Sequence, residues 1–245
     1  MRGVVRWLLW VLLAGLALQL FFVGRIALMA VVDPQSTAFQ RSEAWRIARE
    51  RPAFTWRQQW RDYDAISPHL KRAVLAAEDS GFNQHDGVDW DALEAAWERN
   101  ERSAARAEAQ VAQGKDPAQV KPPKVVGGST ITQQLAKNLL LSGERSLLRK
   151  GQELVLTMTL EAFLSKRRIL EIYLNNVEWG EGIFGAEAAA QRYFGKSARQ
   201  LSAREAARLA VMLPAPKRFE QRVNSRYLNN RASTIAARMN AVTPP

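Results

Sequence analysis

The residues able to do chemistry fall in three short stretches. In "EDSGFNQHDG" (78 to 87), Glu78 and Asp79 close an apolar helical pattern, "HLKRAVLAAE", where the helix dipole disfavours negative charge. Burial at that point would raise the Glu78 carboxyl toward the range useful to a general base. Taken alone, the pair reads more readily as structural, with its oxygens satisfied by loop N–H groups. In "RKGQE" (149 to 153), Arg149 and Lys150 stand four and three residues before Glu153, so the three share a helix face. A surface salt-bridge ladder would explain them on a polar helix. The flanking residues are too apolar for that, so they call for a polar cavity or a bound anion. In "GGSTITQQLAKN" (127 to 138), Gly127 and Gly128 permit a close backbone approach. Ser129 and Thr130 open a helix whose first N–H groups can hold an anion. Gln133, Gln134 and Lys137 follow as one polar stripe.

Those stretches need helices to position them. Ser67-Pro68 is a helix start before the first stretch. "VDWDALEAAWERN" (88 to 100) opens at Asp89 and carries Trp90, Leu93 and Trp97 at helical spacing. Thr130 and Gln133 have capping-box spacing. "SLLRKGQELVLTMTLEAFL" (146 to 164) is apolar over most of its surface and reads as a central helix. "KRRILEIYLNN" (166 to 176) follows Ser165. "LSAREAARLAVML" (201 to 213) carries a second capping box, Ser202 with Glu205, and stops at Pro214 and Pro216. Convincing alternating strands are absent, so the predicted fold class is all-α. The stretch 101 to 124 is polar, alanine-rich and closed by Pro122-Pro123; it reads as a mobile segment with a frayed helix at its start. "GEGIFGAE" (180 to 187) reads as a glycine-rich turn.

The bulk properties narrow the partners. The chain has 245 residues, no cysteine, two histidines and a formal net charge of +11. Thiolate chemistry is excluded and a His-rich zinc site is excluded in practice. The positive charge suits an anionic partner. "WLLWVLLAGLALQLFFVG" (7 to 24) has one polar residue, Gln19, and "IALMAVV" continues after Arg25. That run is long enough for a membrane-spanning helix, which needs roughly 20 apolar residues. It passes well beyond the small-residue "GLA" where a signal peptide could be cut. Arg2 and Arg6 place the N-terminus in the cytoplasm and the rest outside it, which argues against nucleic acid as a partner. Arginines and Phe39, Trp45, Phe54, Trp56, Trp60 and Tyr63 crowd positions 33 to 63, suiting either a bilayer surface or packing beneath the anchor.

In this order, "EDSGFNQHDG", "GGSTITQQLAKN", "RKGQE" and "ILEIYLNNVEWGEGIFGAEAAAQRYFGK" closely resemble the successive motifs of the peptidoglycan glycosyltransferases. These are the lysozyme-like glycosyltransferase family 51 modules of class A penicillin-binding proteins and their monofunctional relatives. The resemblance covers about 67 to 220, and no S-x-x-K transpeptidase motif is present. It implies a lysozyme-like domain with a large lobe and a small membrane-proximal lobe. The expected organisation is an anchor over 1 to 32, a juxtamembrane segment over 33 to 66, the catalytic domain over 67 to 220, and a C-terminal helix and tail over 221 to 245.

The implied reaction is polymerisation of lipid II into β-1,4-linked glycan with inversion and loss of undecaprenyl pyrophosphate. Glu78 matches the family's catalytic glutamate and Glu153 its second glutamate. Ser129, Thr130, Gln133, Gln134, Lys137, Arg149, Lys150 and Asn175 would bind substrate, with Asp79, Phe82, His85 and Gly87 shaping the loop. No cofactor is obligatory; Glu153 is the residue left open to holding Mg or Mn. The implied partners are lipid II, the growing chain, inner-membrane phospholipid and other cell-wall synthesis and division proteins. The implied location is the bacterial inner membrane, single-pass, with a periplasmic catalytic domain. The rival readings are a lysozyme-like lytic transglycosylase or hydrolase and a non-catalytic scaffold binding lipid-linked precursors. The 101 to 124 stretch is longer than the family's usual connection, and "KRFEQ" matches the usual ending only loosely.

Overall fold

A computed structural model describes residues 2–50, 55–123, 125–141 and 146–245, so Phe54 and Lys124 lie outside the described residues. In chain order the helices are α1 (Arg2–Leu28), α2 (Ala38–Glu50), α3 (Pro68–Glu78), α4 (Trp90–Ala112), α5 (Ile131–Leu140), α6 (Leu147–Phe163), α7 (Lys166–Asn176), α8 (Ala186–Phe194), α9 (Ala203–Met212), α10 (Pro216–Phe219) and α11 (Arg226–Arg238). The predicted starts hold: Ser67, Asp89, Thr130, Ser146, Ser165 and Ser202 each accept a backbone N–H as the N-cap.

The fold is mainly helical as predicted, with one addition. Arg57–Gln58 (β1), Glu178–Gly180 (β2) and Ile183–Phe184 (β3) form a sheet in the order β1-β3-β2, with β1 parallel and β2 antiparallel to β3. Strands this short carry no period-2 signature, which is why the sequence pattern did not reveal them. The "GEGIFG" turn is a hairpin between β2 and β3. Gly182 adopts φ +71°, and a Cβ there would collide with the carbonyl oxygen of Thr55. Gly182→Ala should therefore cost at least about 1–2 kcal/mol through the left-handed backbone alone. Thermal unfolding would read this as a midpoint lowered by about 2–8 °C.

The core gathers α3, α5, α7, α8 and α9, with Trp179, Tyr173, Phe82, Leu70 and Leu135 among its fully buried side chains. The last helix was expected to lie beyond the domain. Instead α11 packs on α9 and α3, and its Leu228, Ala232 and Ile235 join the core with Met239. Asn175 was expected in the cleft. It is fully buried and clamps the segment before α3 to α7: its amide donates to the Arg61 carbonyl (2.8 Å), and its oxygen accepts from the Arg61 N–H (2.8 Å).

Two helices depart from their expected settings. The segment after residue 100 is not a frayed end, because α4 runs unbroken to Ala112. It buries only Ala96 and leaves Trp90 and Trp97 exposed, so it is an arm reaching out from the core. Helix α6 is not central. It packs between α5 and the N-terminal α1, leaving Leu147 and Leu148 92% and 86% exposed and Leu154, Val155, Met158 and Phe163 uncovered. Leu156 and Leu160 reach the core, while its other apolar residues face outward beside the long apolar helix. Gln19, the one polar residue of the apolar run, exchanges amide hydrogen bonds with Gln152 of α6 (2.9 and 3.1 Å). Arg168 of α7 donates to the Met29 carbonyl and to Asp33 (2.8 and 2.7 Å), tying the end of α1 to the core.

Most juxtamembrane aromatics turn out to be packing residues. Trp56 stacks on Phe184 at 4.6 Å, Phe39 meets the same ring edge-on, and Tyr63 is buried. Trp45 stays exposed beneath the Arg49 guanidinium.

Candidate active site

Glu78 is the last residue of α3, and Asp79 is its C-cap. The awkward placement of two acids is resolved by dividing their work. Asp79 is buried and saturated: one oxygen accepts from His85 Nε2 (2.9 Å), the other from the Ile131 N–H that opens α5 (2.9 Å). The anion held by the α5 N-terminus is thus an internal carboxylate. The Gly87 N–H donates to His85 Nδ1 (3.1 Å), which fixes the neutral ring with its proton on Nε2. Thr130 Oγ1 donates to the Gly87 carbonyl (2.6 Å). Gly87 has φ +91°, and a Cβ there would sit 2.7 Å from Thr157 Cγ2. Phe82 is buried under the Lys166 ammonium, 4.6 Å from its ring. Asp79, Phe82, His85 and Gly87 make these contacts within the loop, and Glu78 stands at its edge.

Glu78 is half-buried. Burial, reinforced by the Asp79 charge, pushes its carboxyl above the usual carboxylate range. Gln134 opposes this by donating Nε2–H to Glu78 Oε2 (3.0 Å). Tyr173, fully buried on α7, donates its hydroxyl to Gln134 Oε1 (3.0 Å) and so fixes which end of the amide faces Glu78. Gln134→Ala removes the bond that favours the carboxylate, so the acid limb of any rate that needs ionised Glu78 should move to higher pH. A pH–rate series on the variant checks this.

Glu78 opens on a cavity of about 250 Å³ lined by Asp79, Ser80, Gly127, Gly128, Ser129 and Thr130, with Arg99 of α4 and Arg238 of α11. Gln134 belongs to the wall of a second cavity, about 460 Å³, with Lys137, Asn138, Arg149, Glu178 and the turn at Pro214 and Pro216. The Gln134–Glu78 bond links the two. Gln134, Lys137 and Asn138 therefore form the cleft-facing stripe of α5, continued by Leu141 at its C-cap. Gln133 leaves it, because its side chain accepts from the Thr130 N–H (3.0 Å) to complete the capping box.

Arg149 and Glu153 meet as the spacing predicted (3.2 Å), and Lys150 also binds Glu153. Glu153 is buried, Arg149 lines the larger cavity, and Lys150 points largely to solvent. The buried Arg149 Nε has no hydrogen-bond partner among the described residues. Of the predicted substrate-binding residues, the structure brings Ser129, Thr130, Gln134, Lys137 and Arg149 to the two cavities. Asn175 stays in the core and Lys150 stands behind Glu153.

Sequence reasoning missed Tyr173, Arg99, Arg238 and Glu178. Tyr173 had a signal, being the one aromatic residue, with a polar tip, within "ILEIYL". The arginines had none, since they come from an arm and a terminal helix whose approach only the fold decides.

Residues 46–240 match a family model described as Transglycosylase. A biosynthetic peptidoglycan transglycosylase of Burkholderia thailandensis is 51% identical over 248 residues, covering 100% of this chain and 90% of that protein. The corresponding protein of Paraburkholderia phytofirmans is 49% identical, covering 99% and 95%. That of Bordetella pertussis is 48% identical over 235 residues, covering 96% and 91%.

Proposed function

The chain belongs to the transglycosylase family, and on that premise we propose that its paired cavities form the cleft where a lipid-linked glycan donor meets a lipid II acceptor. The chain is a peptidoglycan glycosyltransferase that polymerises glycan strands, and it takes lipid II as substrate.

A sugar hydroxyl is a poor nucleophile near neutral pH and needs a base within hydrogen-bond reach. Glu78 is that base. The acceptor hydroxyl lies on its side of the cleft and attacks the donor's anomeric carbon from the face opposite the leaving oxygen, which gives inversion. The bond to the pyrophosphate breaks with its electron pair going to phosphate. That developing charge needs cations already in place, and Lys137 and Arg149 wall the cavity on the far side of Gln134. Ser129 and Thr130 line the Glu78 side. The observation that carries this reading is the Gln134 bridge, which puts a carboxyl with a raised pKa and a cationic cavity on either side of one amide. A lytic enzyme expels a sugar and has no use for the cations. Incubation with labelled lipid II should yield polymer and leave preformed cell-wall glycan intact; degradation of that glycan without polymer would refute the assignment.

Glu153 reads as the group that orients Arg149 rather than as a metal ligand. Both of its oxygens are engaged by cations, and among the described residues no second carboxylate bonds to it. Another acid–imidazole group, Asp79, His85 and Asp89, is consumed internally, with Asp89 capping α4. The donor sets do not fit Mg or Mn, and no step here passes through a metal.

Among the described residues one helix, Arg2–Leu28, is long and apolar enough to cross a membrane, consistent with a single-pass anchor. We place the N-terminus in the cytoplasm and the catalytic domain on the periplasmic face of the inner membrane, from Arg2 and Arg6 before the span. The uncovered apolar side of α6 beside α1 suits contact with the bilayer, which keeps the cleft near the lipid tails of its substrates.

A further inference from the structure

Glu178 is a charged residue of the cleft to which base catalysis by Glu78 and charge stabilisation by Lys137 and Arg149 give no task. It opens β2, its side chain is 9% exposed, and it lines the same cavity as Lys137 and Arg149. Its Oε1 is buried without a hydrogen bond among the described residues. The nearest cation, Lys217 of α10, stands 3.6 Å away and is already bound to Glu43 of α2. A buried carboxyl oxygen left unpaired is costly unless a ligand completes it or a proton neutralises it.

We infer that Glu178 is the proton donor to the departing pyrophosphate, facing it from the wall of the cationic cavity. This rests on the assignment of the paired cavities as the glycosyl-transfer cleft. The acceptor O–H proton passes to Glu78 as its oxygen bonds to the anomeric carbon. The anomeric C–O bond breaks and its pair stays on phosphate. The Glu178 carboxyl proton passes to a pyrophosphate oxygen. Glu78 ends protonated and Glu178 ionised, and exchange with solvent resets both.

The local electrostatics suit a donor. Burial is the largest influence on Glu178, and with the charges of Glu43 and Glu220 it outweighs Lys217, pushing the carboxyl up to about 7. Lys137 and Arg149 line the same cavity, and Arg46 is bound to Glu43. An acid near 7 is matched to a phosphate oxygen that gains charge near neutrality. Glu78 must be ionised and Glu178 protonated, so the pH–rate profile should be a bell, with Glu178 on the alkaline side.

The test is lipid II polymerisation by the full chain across pH, with wild type, Glu178→Gln and Lys217→Met compared. Glu178→Gln keeps a hydrogen-bond donor but loses the proton. It should lower kcat at least about 10-fold with KM nearly unchanged, and its alkaline limb should disappear. Lys217→Met removes a charge that lowers the Glu178 pKa, so its alkaline limb should move to higher pH. A Glu178→Gln enzyme within twofold of wild type, or slowed with its alkaline limb intact, overturns the inference. An unmoved limb in Lys217→Met does so even if Glu178→Gln fails to fold. Wild type without polymer would overturn the functional reading as well; an active wild type confines any failure to Glu178.

Discussion

Glu78→Gln should lower lipid II polymerisation by about 10²–10⁴-fold, the contribution of a positioned general base, while lipid II binding remains measurable. The substitution is nearly isosteric and keeps an oxygen to accept from Gln134 Nε2, so the bridge between the cavities survives. It also removes a carboxylate that burial makes expensive, so the variant should be at least as stable as wild type. A large loss of rate with no loss of thermal stability is therefore the signature of a base. A matching loss of stability, or a rate within tenfold of wild type, would move the base elsewhere. Asp79→Asn offers the contrast. Asp79 holds His85 and the α5 N-terminus together, so weakening it should disturb folding along with activity.

That contrast shows what the sequence could and could not reveal. Glu78 and Asp79 are adjacent and chemically alike; only their spacing to a helix start fifty residues later separates them. The Thr130 cap brings the Ile131 N–H to Asp79 and so frees Glu78 for the cleft. The caps were legible because a side chain and its backbone partner lie three residues apart. The Arg149–Glu153 pair was legible for the same reason. Gln133 was misread for the cleft because stripe and cap use the same spacing, and the cap claimed it. Helix α6 was misplaced because apolar periodicity reports a surface that avoids water without saying whether protein or lipid covers it. Asn175 and Glu178 stand three residues apart around the α7–β2 junction, yet one clamps the core and the other faces the cleft. Glu178 sits on β2, whose partner β3 pairs in turn with β1 more than a hundred positions earlier, and no local pattern encodes that.

Arg149→Ala should cost about 10²–10³-fold in kcat, the range seen when one preorganised donor to a developing negative charge is removed. The geometry allows a competing explanation. Arg149 also neutralises buried Glu153, so the same loss could come from an acid left with only Lys150. The two are separable by removing the acid as well. If Arg149 serves mainly to quiet Glu153, Arg149→Ala with Glu153→Gln should recover both stability and rate. If Arg149 holds the leaving pyrophosphate, the double variant recovers stability alone. Its Nε, buried and without a hydrogen-bond partner among the described residues, favours the second outcome, because a guanidinium devoted to Glu153 would not leave a donor unused at the edge of a cationic cavity. Arg149→Lys should fall between, since an ammonium keeps the charge but cannot bind a carboxylate and a phosphate together in one plane. Polymerisation rates and melting temperatures for these three variants, measured on one preparation of lipid II, distinguish a phosphate clamp from an internal counter-ion.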